Sequence, residues 1–269
     1  MNAQDKAFVK LVWDYYAKHK RSLPWRDKNI TNNFSLYPIV VSEIMLQQTQ
    51  VNRVVKKYAD FLKQFPTWDA LAQAPLADVL VAWQGLGYNR RAKYLHDIAK
   101  NISQKNPTMD EAGLTALPGI GSNTACAILV YCKNEPHTFI ETNIRSVLIH
   151  HYFKNQKNVT DRMIAKQLNK VIDVKQPREW YWALMDYGTF IKATHGNNTK
   201  QSKHYTKQSV FAGSNRQIRG GVLRLLATKG PQTKKQLKAQ FDERIDTVLQ
   251  TLQAEGLIVQ KGRGFTLPK

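Results

Sequence analysis

Cysteine is scarce in this chain. Its 269 residues include two cysteines, Cys126 and Cys132, which lie close together on one predicted helix. Neighbouring cysteines on a helix make neither a disulfide framework nor a metal-binding knot. We therefore expect reduced thiols, no bound metal and a cytoplasmic location.

Long apolar runs are also missing. No stretch approaches the roughly 20 apolar residues that a membrane helix needs. Residues 1–6 lack the apolar core of a signal peptide. The sequence therefore gives no reason to expect a membrane as partner.

Acidic residues are few. The chain has 20 of them against 40 lysines and arginines, so its formal net charge is +20. The imbalance is concentrated between Lys192 and Gln240, where no Asp or Glu occurs. Such an excess favours a polyanionic partner, although a basic but otherwise ordinary globular protein is the alternative. A length of 269 residues suits one large or two to three smaller domains, and a hydrophobic content of 42% is that of a globular protein.

Apolar residues recur at helical spacing over most of the chain, and strand signals are scarce before Gly213. After Ser214 the pattern predicts three helices and then a β-ribbon at 257–259 and 264–267, the order of a winged helix-turn-helix module. The predicted fold class is all-α, with a first domain over 1–212 and a DNA-binding module over 213–269.

The run Leu117-Pro118-Gly119-Ile120-Gly121 lies between two predicted helices and has the composition of a helix-hairpin-helix turn. Pro118 cannot continue the first helix, and the two glycines allow positive φ and close backbone approach. We expect residues 122–124 to supply polar caps for the following helix. The free N–H groups of that helix start would seat a phosphate.

Residues 42–51, with the sequence SEIMLQQTQV, put a dense polar run into an apolar helical pattern. Glutamines at 47 and 48 can bond base edges or fill the gap left by an extruded base. Glu43 follows Val40 and precedes Ile44, so we expect it to be partly desolvated. Desolvation raises a carboxyl pKa and suits a general acid. The alternative is a solvated helix residue without a catalytic role.

Two further features carry a functional and a structural interpretation. The run Gly85-Leu86-Gly87-Tyr88 could present the ring of Tyr88 to a base stack, or it could be a turn with a core tyrosine. Glu141 follows an extended apolar run at a predicted helix start. Its alternative interpretation is a helix acid that the dipole favours.

These motifs resemble those of the helix-hairpin-helix (HhH-GPD) DNA glycosylase superfamily, and most closely its MutY-type adenine DNA glycosylases. The match consists of LPWR at 23–26, the SEIMLQQTQV run, the GLGY loop and LPGIGSNTA at 117–125, in this order. It covers roughly residues 7–192. The resemblance implies an all-helical core of two lobes, roughly 25–132 and 1–24 with 133–212, and a DNA cleft between them. It also implies base flipping and cleavage of the N-glycosidic bond.

The resemblance implies a role for each matching residue. Glu43 would protonate the base, while Glu141 would stabilise the oxocarbenium-like sugar and position a nucleophile, as glycoside chemistry requires of two carboxylates. Gln47 and Tyr88 match the family's intercalating residues. The remaining candidate DNA contacts are Gln48, Leu117, Gly119, Gly121, Asn123 and Thr124. The matching hairpin often works with a monovalent cation.

Three departures from the family pattern refine these expectations. The family usually has Asp where Glu141 stands, so the reach to the sugar changes. Bifunctional members carry Lys at the position of Asn123, and Asn cannot form a Schiff base, so we expect no lyase activity. Many members hold an iron–sulfur cluster with four cysteines after an MDYG-like stretch. Here Lys192 stands where the first would be, so we expect no cluster.

The candidate base-pocket residues are Trp182 and Arg26. Adenine-specific members carry Gln or Glu where Trp182 stands, and Trp offers one donor and a stacking face. Arg26 belongs to the matching LPWR run and could approach a flipped base. Those members also have a C-terminal domain that recognises oxidised guanine, whereas this chain has the predicted winged module.

We therefore predict a monofunctional DNA N-glycosylase of base excision repair that acts on a flipped mismatched or damaged base, with mismatched adenine as the leading substrate. The alternatives are a uracil or thymine mismatch glycosylase on the same scaffold, and a non-catalytic DNA-binding protein that senses lesions or structure. The expected partner is double-stranded DNA with a lesion or mismatch. We expect the protein to act as a monomer, and to be nucleoid-associated if the source is bacterial. The C-terminal cations expected on DNA are Arg216, Arg219, Lys234, Lys235 and Lys238.

Overall fold

A computed structural model of the chain describes residues 1–208 and 210–269. Most of the described residues are helical, which confirms the predicted all-α class. The helices are α1 (Ala3–His19), α2 (Leu36–Leu46), α3 (Val51–Gln64), α4 (Trp68–Gln73), α5 (Leu76–Ala82), α6 (Arg90–Lys105), α7 (Glu111–Thr115), α8 (Ser122–Lys133), α9 (Thr142–Tyr152), α10 (Asp161–Val171), α11 (Pro177–His195), α12 (Asn215–Lys229), α13 (Lys234–Lys238) and α14 (Ile245–Ala254).

Helix starts follow local sequence in several places. Before α1, the side chain of Asn2 accepts a hydrogen bond from the backbone N–H of Asp5, and the Asp5 carboxylate accepts one in return from Asn2. This reciprocal capping box satisfies two N–H groups that a helix start leaves open. The short helix α4, which begins after the cap Thr67, was not predicted because six residues are too few to show a helical period.

The chain forms two compact units. The first comprises residues 1–39, 109–115 and 120–207, and the second comprises residues 40–108, 116–119 and 208–269. The helices α7 and α8 therefore belong to the first unit, while the turn residues 116–119 between them belong to the second.

The core of the first unit is rich in aromatic side chains. Helix α11 packs on α9, α1 and α8. The rings of Phe139 and Tyr181 stack with centroids 4.0 Å apart, and Trp180 is fully buried. Gly188 allows α11 to approach α9 closely, because a Cβ atom there would lie 2.5 Å from the backbone oxygen of Asn143.

The segment after α11 is bound to the same unit. A short 3-10 helix, Asn198–Gln201, follows it. Asn198 exchanges two hydrogen bonds with Ser146 of α9, at 2.5 and 2.9 Å. Ser202 pairs with Val159 in an isolated bridge. Asn198 therefore anchors this segment to α9, and the bridge at Ser202 anchors it to the connection between α9 and α10.

In the second unit the C-terminal residues pack on helices α5 and α6. Helix α12 contacts α5, and the backbone N–H of Ala77 donates to the carbonyl of Pro268 at 3.1 Å. The Glu255 carboxylate accepts hydrogen bonds from both Arg90 of α6 and Arg219 of α12. These contacts join the module that the sequence places at 213–269 to α5 and α6.

That module contains the strands of the described chain, β1 (Gln232–Thr233), β2 (Val259–Lys261) and β3 (Gly264–Thr266). They form one antiparallel sheet in the order β1-β3-β2, with Gln260 opposite Phe265. The element order is helix, strand, two helices and a two-stranded ribbon, and its assignment as a winged helix-turn-helix module stays a prediction. The DNA-binding role of this module stays a prediction.

A membrane-spanning helix would have to be long and apolar, and none of the helices in the described part of the chain meets both conditions.

Candidate active site and DNA-contact residues

Glu43 lies on α2 within a strongly apolar stretch. Its exposed fraction is 8%, and the neighbouring Val40 and Ile44 are fully buried. The expectation that Glu43 is withdrawn from water is therefore confirmed. The free-energy cost of burial is smaller for a neutral carboxylic acid than for its anion, and a neutral acid can deliver a proton. Its catalytic role stays a prediction.

The glutamines of the SEIMLQQTQV run lie outside the helix. Helix α2 ends at Leu46, and residues 47–50 connect it to α3, so their placement within a helix was wrong. Gln47 donates a hydrogen bond of 3.2 Å from Nε2 to the carbonyl of Gly119. Gln48 has a left-handed φ of 53° and an exposed side chain. A connection with exposed amides can contact DNA more readily than a packed helix face.

Tyr88 lies in the loop between α5 and α6. Its φ is 46°, a left-handed conformation that a bulky residue adopts only when its surroundings hold it there. The ring is partly buried. The Tyr88 hydroxyl accepts a hydrogen bond from Gln208, and it accepts a second one of 2.5 Å from Arg216 of α12.

Arg91 is a functional candidate that the sequence analysis missed. Its guanidinium lies over the ring of Tyr88, 5.7 Å from the centroid. Its nitrogens donate at 2.7 to 3.2 Å to four backbone carbonyls and one hydroxyl, those of Ile44, Met45, Leu86, Gly87 and Thr49. Burial lowers the pKa of Arg91 to about 10. One buried cation thus joins the end of α2 to the GLGY loop.

The hairpin turn follows α7. Leu117 is buried, and Gly119 has a φ of 77°. A Cβ atom on Gly119 would lie 2.5 Å from Cδ2 of the Tyr94 ring, so both its conformation and its packing require glycine. At Gly121 a Cβ atom would meet nothing within 4 Å, and φ is −91°. The predicted need for glycine is therefore confirmed at Gly119 and is wrong at Gly121.

The predicted polar caps of α8 are also wrong. The cap residue is Gly121, and no side chain caps the first turn. The Ser122 hydroxyl donates instead to a Glu111 carboxylate oxygen at 2.7 Å. The Asn123 side-chain oxygen accepts from the backbone N–H of Ile140 at 2.7 Å. A helix start without a side-chain cap offers its N–H groups to an external anion.

Asn123 and Thr124 lie in that first turn of α8. The side chain of Asn123 is exposed, while that of Thr124 is partly buried. Since Asn123 holds the backbone at Ile140, it fixes the residue that directly precedes Glu141.

Glu141 occupies the position before α9, with φ and ψ of −92° and 167°. Its side chain makes no capping hydrogen bond, whereas its carbonyl accepts from Arg145 at 2.8 Å. Desolvation raises the pKa of its carboxyl to about 7, against the opposing charge of Lys192. Glu141 therefore lies at a helix start, as its alternative interpretation expects, without capping it, and its catalytic role stays a prediction.

Lys192 is a second candidate that the sequence analysis treated as no more than a replaced cysteine. Its ammonium donates a 2.7 Å hydrogen bond to the Asn143 side chain, two residues after Glu141. Burial lowers the pKa of Lys192, and the neighbouring Arg145 adds to the effect. Lys192 thus contributes positive charge beside a partly desolvated carboxyl.

Both predicted base-pocket residues are engaged within the first unit. Arg26 forms a two-pronged hydrogen-bonded ion pair with Asp186 at 2.8 and 2.9 Å. Trp182 is 7% exposed and packs between Phe34 and Tyr131. The Arg26 guanidinium lies 5.4 Å from the centre of the Trp182 ring. The role of Arg26 and Trp182 as base contacts stays a prediction. It requires that a flipped base can reach a position next to both side chains.

Several C-terminal arginines and lysines that were predicted to contact DNA form hydrogen bonds or ion pairs with other side chains of the protein. Arg216 bonds Tyr88, and Arg219 pairs with Glu255. Lys234 and Lys238 lie 3.2 and 2.8 Å from Asp246, in exposed pairs that a phosphate could replace at little cost. Lys235 is exposed. The lysines therefore fit a DNA-contact role better than the two arginines do.

An iron–sulfur cluster does not fit the residues present. The chain's two cysteines are Cys126 and Cys132, neither of them in a disulfide and both on α8. The stretch that follows Gly188 continues as helix to His195 and supplies no thiolate. Such clusters take four cysteine ligands, and this donor set does not provide them.

Comparison with known proteins adds independent findings. Residues 41–174 match the model of the HhH-GPD superfamily base excision DNA repair protein. An adenine DNA glycosylase of Buchnera aphidicola is 36% identical over 185 residues, which cover 67% of this chain and 51% of the relative. An adenine DNA glycosylase of Mycobacterium tuberculosis is 30% identical over 285 residues, covering 96% of this chain and 92% of the relative. The chain thus spans about half of the first relative and nearly all of the second.

Solved structures show the same fold at low sequence identity. A thermostable thymine-DNA glycosylase superposes with a TM-score of 0.62 at 19% identity, covering 74% of this chain and 92% of that one. A non-covalent endonuclease III–DNA complex gives a TM-score of 0.55 at 15% identity, covering 72% of this chain and 90% of that one. At these identities the likeness concerns the fold alone.

Proposed function

The chain belongs to the HhH-GPD superfamily of base excision DNA repair proteins, and we propose that it is a MutY-like DNA N-glycosylase that removes adenine from mismatched duplex DNA. The observation that carries the proposal is the buried Glu43 within the SEIMLQQTQV run. Relatives named adenine DNA glycosylase match across bacteria, yeast and human at 29–36% identity.

In the proposed reaction, water adds across the bond between the sugar C1′ and the base. Glu43 donates a proton to the base, which makes the base a better leaving group. Glu141 as a carboxylate stabilises the cationic sugar that develops and orients the water. The two carboxyls differ in surroundings, since Glu43 lies in an apolar helix and Glu141 lies beside Lys192. Different surroundings allow one acid and one base to coexist near neutral pH.

Duplex DNA is the proposed partner of several loops. The connection at Gln47 and Gln48 and the loop of Tyr88 supply side chains that replace a flipped nucleotide in the stack. Arg91 supports both loops through the carbonyls that it binds. The uncapped start of α8 holds a backbone phosphate.

We propose a monofunctional reaction. The side chain of Asn123 cannot form a Schiff base, and its oxygen is already engaged with the backbone at Ile140. Incubation with substrate and borohydride should leave no covalent protein–DNA adduct. A trapped adduct would contradict this part of the proposal.

The remaining proposals concern cofactors, the oligomeric state and the cellular location. We propose that the protein works without an iron–sulfur cluster, since no four cysteines are available, and that the hairpin can take a monovalent cation. We propose a monomer that acts on lesioned or mismatched DNA in the cytoplasm, and the low cysteine content of the chain supports this location.

A panel of duplexes tests the substrate. The duplexes differ in one base pair, which is adenine opposite guanine, adenine opposite oxidised guanine, uracil or thymine opposite guanine, or a matched pair. Removal of a base leaves an abasic site, and alkali then cleaves the strand at that site. We expect strand cleavage at the mismatched adenine. Cleavage confined to uracil or thymine would favour the pyrimidine mismatch alternative. Tight binding without a product on any duplex would favour a non-catalytic lesion sensor.

A further inference from the structure

We propose that Glu111, Cys126 and His137 form a zinc-binding site in the first unit, beside the hairpin. Each side chain offers one ligand atom, and these atoms, a carboxylate oxygen, a thiol sulfur and a ring nitrogen, all lie within 4.8 Å of one another. The three residues come from α7, from α8 and from the segment after α8. Their convergence therefore depends on the fold and not on sequence spacing.

The separations suit a small ion. Zinc binds sulfur at about 2.3 Å and nitrogen or oxygen at about 2.0–2.2 Å, so tetrahedral ligands stand roughly 3.3–3.8 Å apart. Side-chain movements of about 1 Å would close the observed spacing to those values. Glu111 lies at the start of α7 and His137 is only partly buried, so both have room to adjust.

The donor set selects the metal. A thiolate is a poor ligand for magnesium or calcium, which prefer oxygen, whereas sulfur and imidazole together favour zinc. Three protein ligands leave a fourth position for water. This differs from the expectation of no bound metal, which rested on the positions of the two cysteines alone and gave no sign that residues 111 and 137 meet at Cys126.

Neighbouring groups orient two of the three ligands. The Ser122 hydroxyl donates to one Glu111 carboxylate oxygen at 2.7 Å, and the Glu111 carboxylate also accepts a hydrogen bond from the Cys126 thiol, whose proton a metal ion would replace. His137 Nε2 lies 2.9 Å from a Glu135 carboxylate oxygen. A proton held on Nε2 leaves the lone pair on Nδ1, the nitrogen that we assign as ligand. A carboxylate on the second ring nitrogen is the usual outer partner of a metal-bound histidine.

A bound ion would join three elements. It would connect α7 to α8, the two helices on either side of the hairpin, and both to the segment that runs from His137 to Glu141. Because folding brings these ligands together, the ion would stabilise the folded state. The inference does not depend on the substrate, since metal binding can be measured without DNA.

The test uses the full chain, freed of metal by a chelator and titrated with Zn²⁺ and with Co²⁺. We expect one ion per chain, a rise in Tm, and a thiolate-to-cobalt charge-transfer band in the near ultraviolet. Cys126→Ser should abolish the band. His137→Ala should weaken binding by at least about tenfold. The matched control is Cys132→Ser, which removes the chain's other thiol and should leave both the charge-transfer band and the zinc affinity unchanged.

Two results would overturn the site. One is a wild-type protein that shows no charge-transfer band with Co²⁺ and binds Zn²⁺ no more tightly than the Cys126→Ser and His137→Ala variants do. The other is a Cys132→Ser protein that loses the band while Cys126→Ser keeps it. Since Cys126 is buried and its replacement could disturb folding, Glu111→Gln and His137→Ala, whose circular dichroism should match the wild type, give an independent decision. Unchanged zinc affinity in both would exclude the site.

Discussion

Arg216 holds Tyr88 from the C-terminal module. Its Nη1 donates a 2.5 Å hydrogen bond to the tyrosine hydroxyl, and its guanidinium lies 5.4 Å from the centre of the ring. Both residues belong to the second unit. The proposed intercalating residue is therefore supported by a part of the chain that lies outside the family match at 41–174. The module then acts on the site through Tyr88 as well as through any DNA contact of its own.

The first prediction follows from that contact. Arg216→Ala should weaken binding to mismatched DNA more than binding to matched DNA, because Tyr88 loses the group that fixes its ring. In a double-mutant cycle with Tyr88→Phe, binding measured by fluorescence anisotropy should show a coupling of about 1 kcal/mol. The control is Arg224→Ala, which removes the same charge from an exposed position on α12. Equal losses in both alanine variants, with no coupling, would mean that Arg216 contributes charge alone.

The second prediction concerns Arg91. Arg91→Lys keeps the charge but loses the planar fork that reaches several carbonyls at once. The free energy of unfolding in urea should fall by about 2–3 kcal/mol, because buried carbonyls lose their donors. Turnover of mismatched DNA should fall as well, since both supported loops loosen. Arg53→Lys, at an exposed position on α3, should change neither quantity. A stable and fully active Arg91→Lys protein would refute the support role.

The third prediction is a pH dependence of stability. Burial raises the pKa of Glu141 from an ordinary 4.5 to about 7. Between these values the folded protein binds more protons than the unfolded chain, so stability from this group is full below pH 4.5 and is lost as pH rises through 7. Glu141→Gln should therefore stabilise the protein at pH 8 by about 2–3 kcal/mol relative to pH 4.5.

Thermal unfolding of both proteins at pH 5, 6, 7 and 8 checks this. The difference in Tm between Glu141→Gln and the wild type should grow across that range. A constant difference would show that the Glu141 carboxyl titrates at its ordinary value. Turnover should rise with pH up to about 7 in the wild type, because the proposed role needs the carboxylate.

The fourth prediction concerns helix packing. Gly188→Ala should lower the free energy of unfolding by about 3 kcal/mol, since its Cβ would meet the Asn143 backbone oxygen at 2.5 Å. Gly220→Ala on α12 is the matched control, because its Cβ would meet nothing within 4 Å. There the change should be neutral or stabilise by up to about 1 kcal/mol. Urea unfolding measures both, and similar effects at the two sites would contradict the close approach of α11 to α9.

Most of the helices and the burial of Glu43 could be predicted from the sequence, because both depend on local patterns of apolar residues. The helical period placed most helices, and the apolar neighbours of Glu43 indicated its burial. Contacts between distant residues could not be predicted. Ser122 was expected to cap α8, yet its hydroxyl reaches Glu111. Arg216 was expected on DNA, yet it bonds Tyr88, which lies 128 positions away in sequence. A local pattern shows which side chains are polar and does not show which partner the fold brings to them.

The central claim is that Glu43 supplies the proton for removal of a mismatched adenine. Single-turnover cleavage of a duplex with one adenine opposite oxidised guanine, compared between the wild type, Glu43→Gln and the exposed control Glu243→Gln, tests it most directly. We expect Glu43→Gln to slow adenine release by at least about 100-fold with unchanged DNA affinity, while Glu243→Gln, at an exposed position, matches the wild type. Full activity of Glu43→Gln, or no adenine release by the wild type, would contradict it.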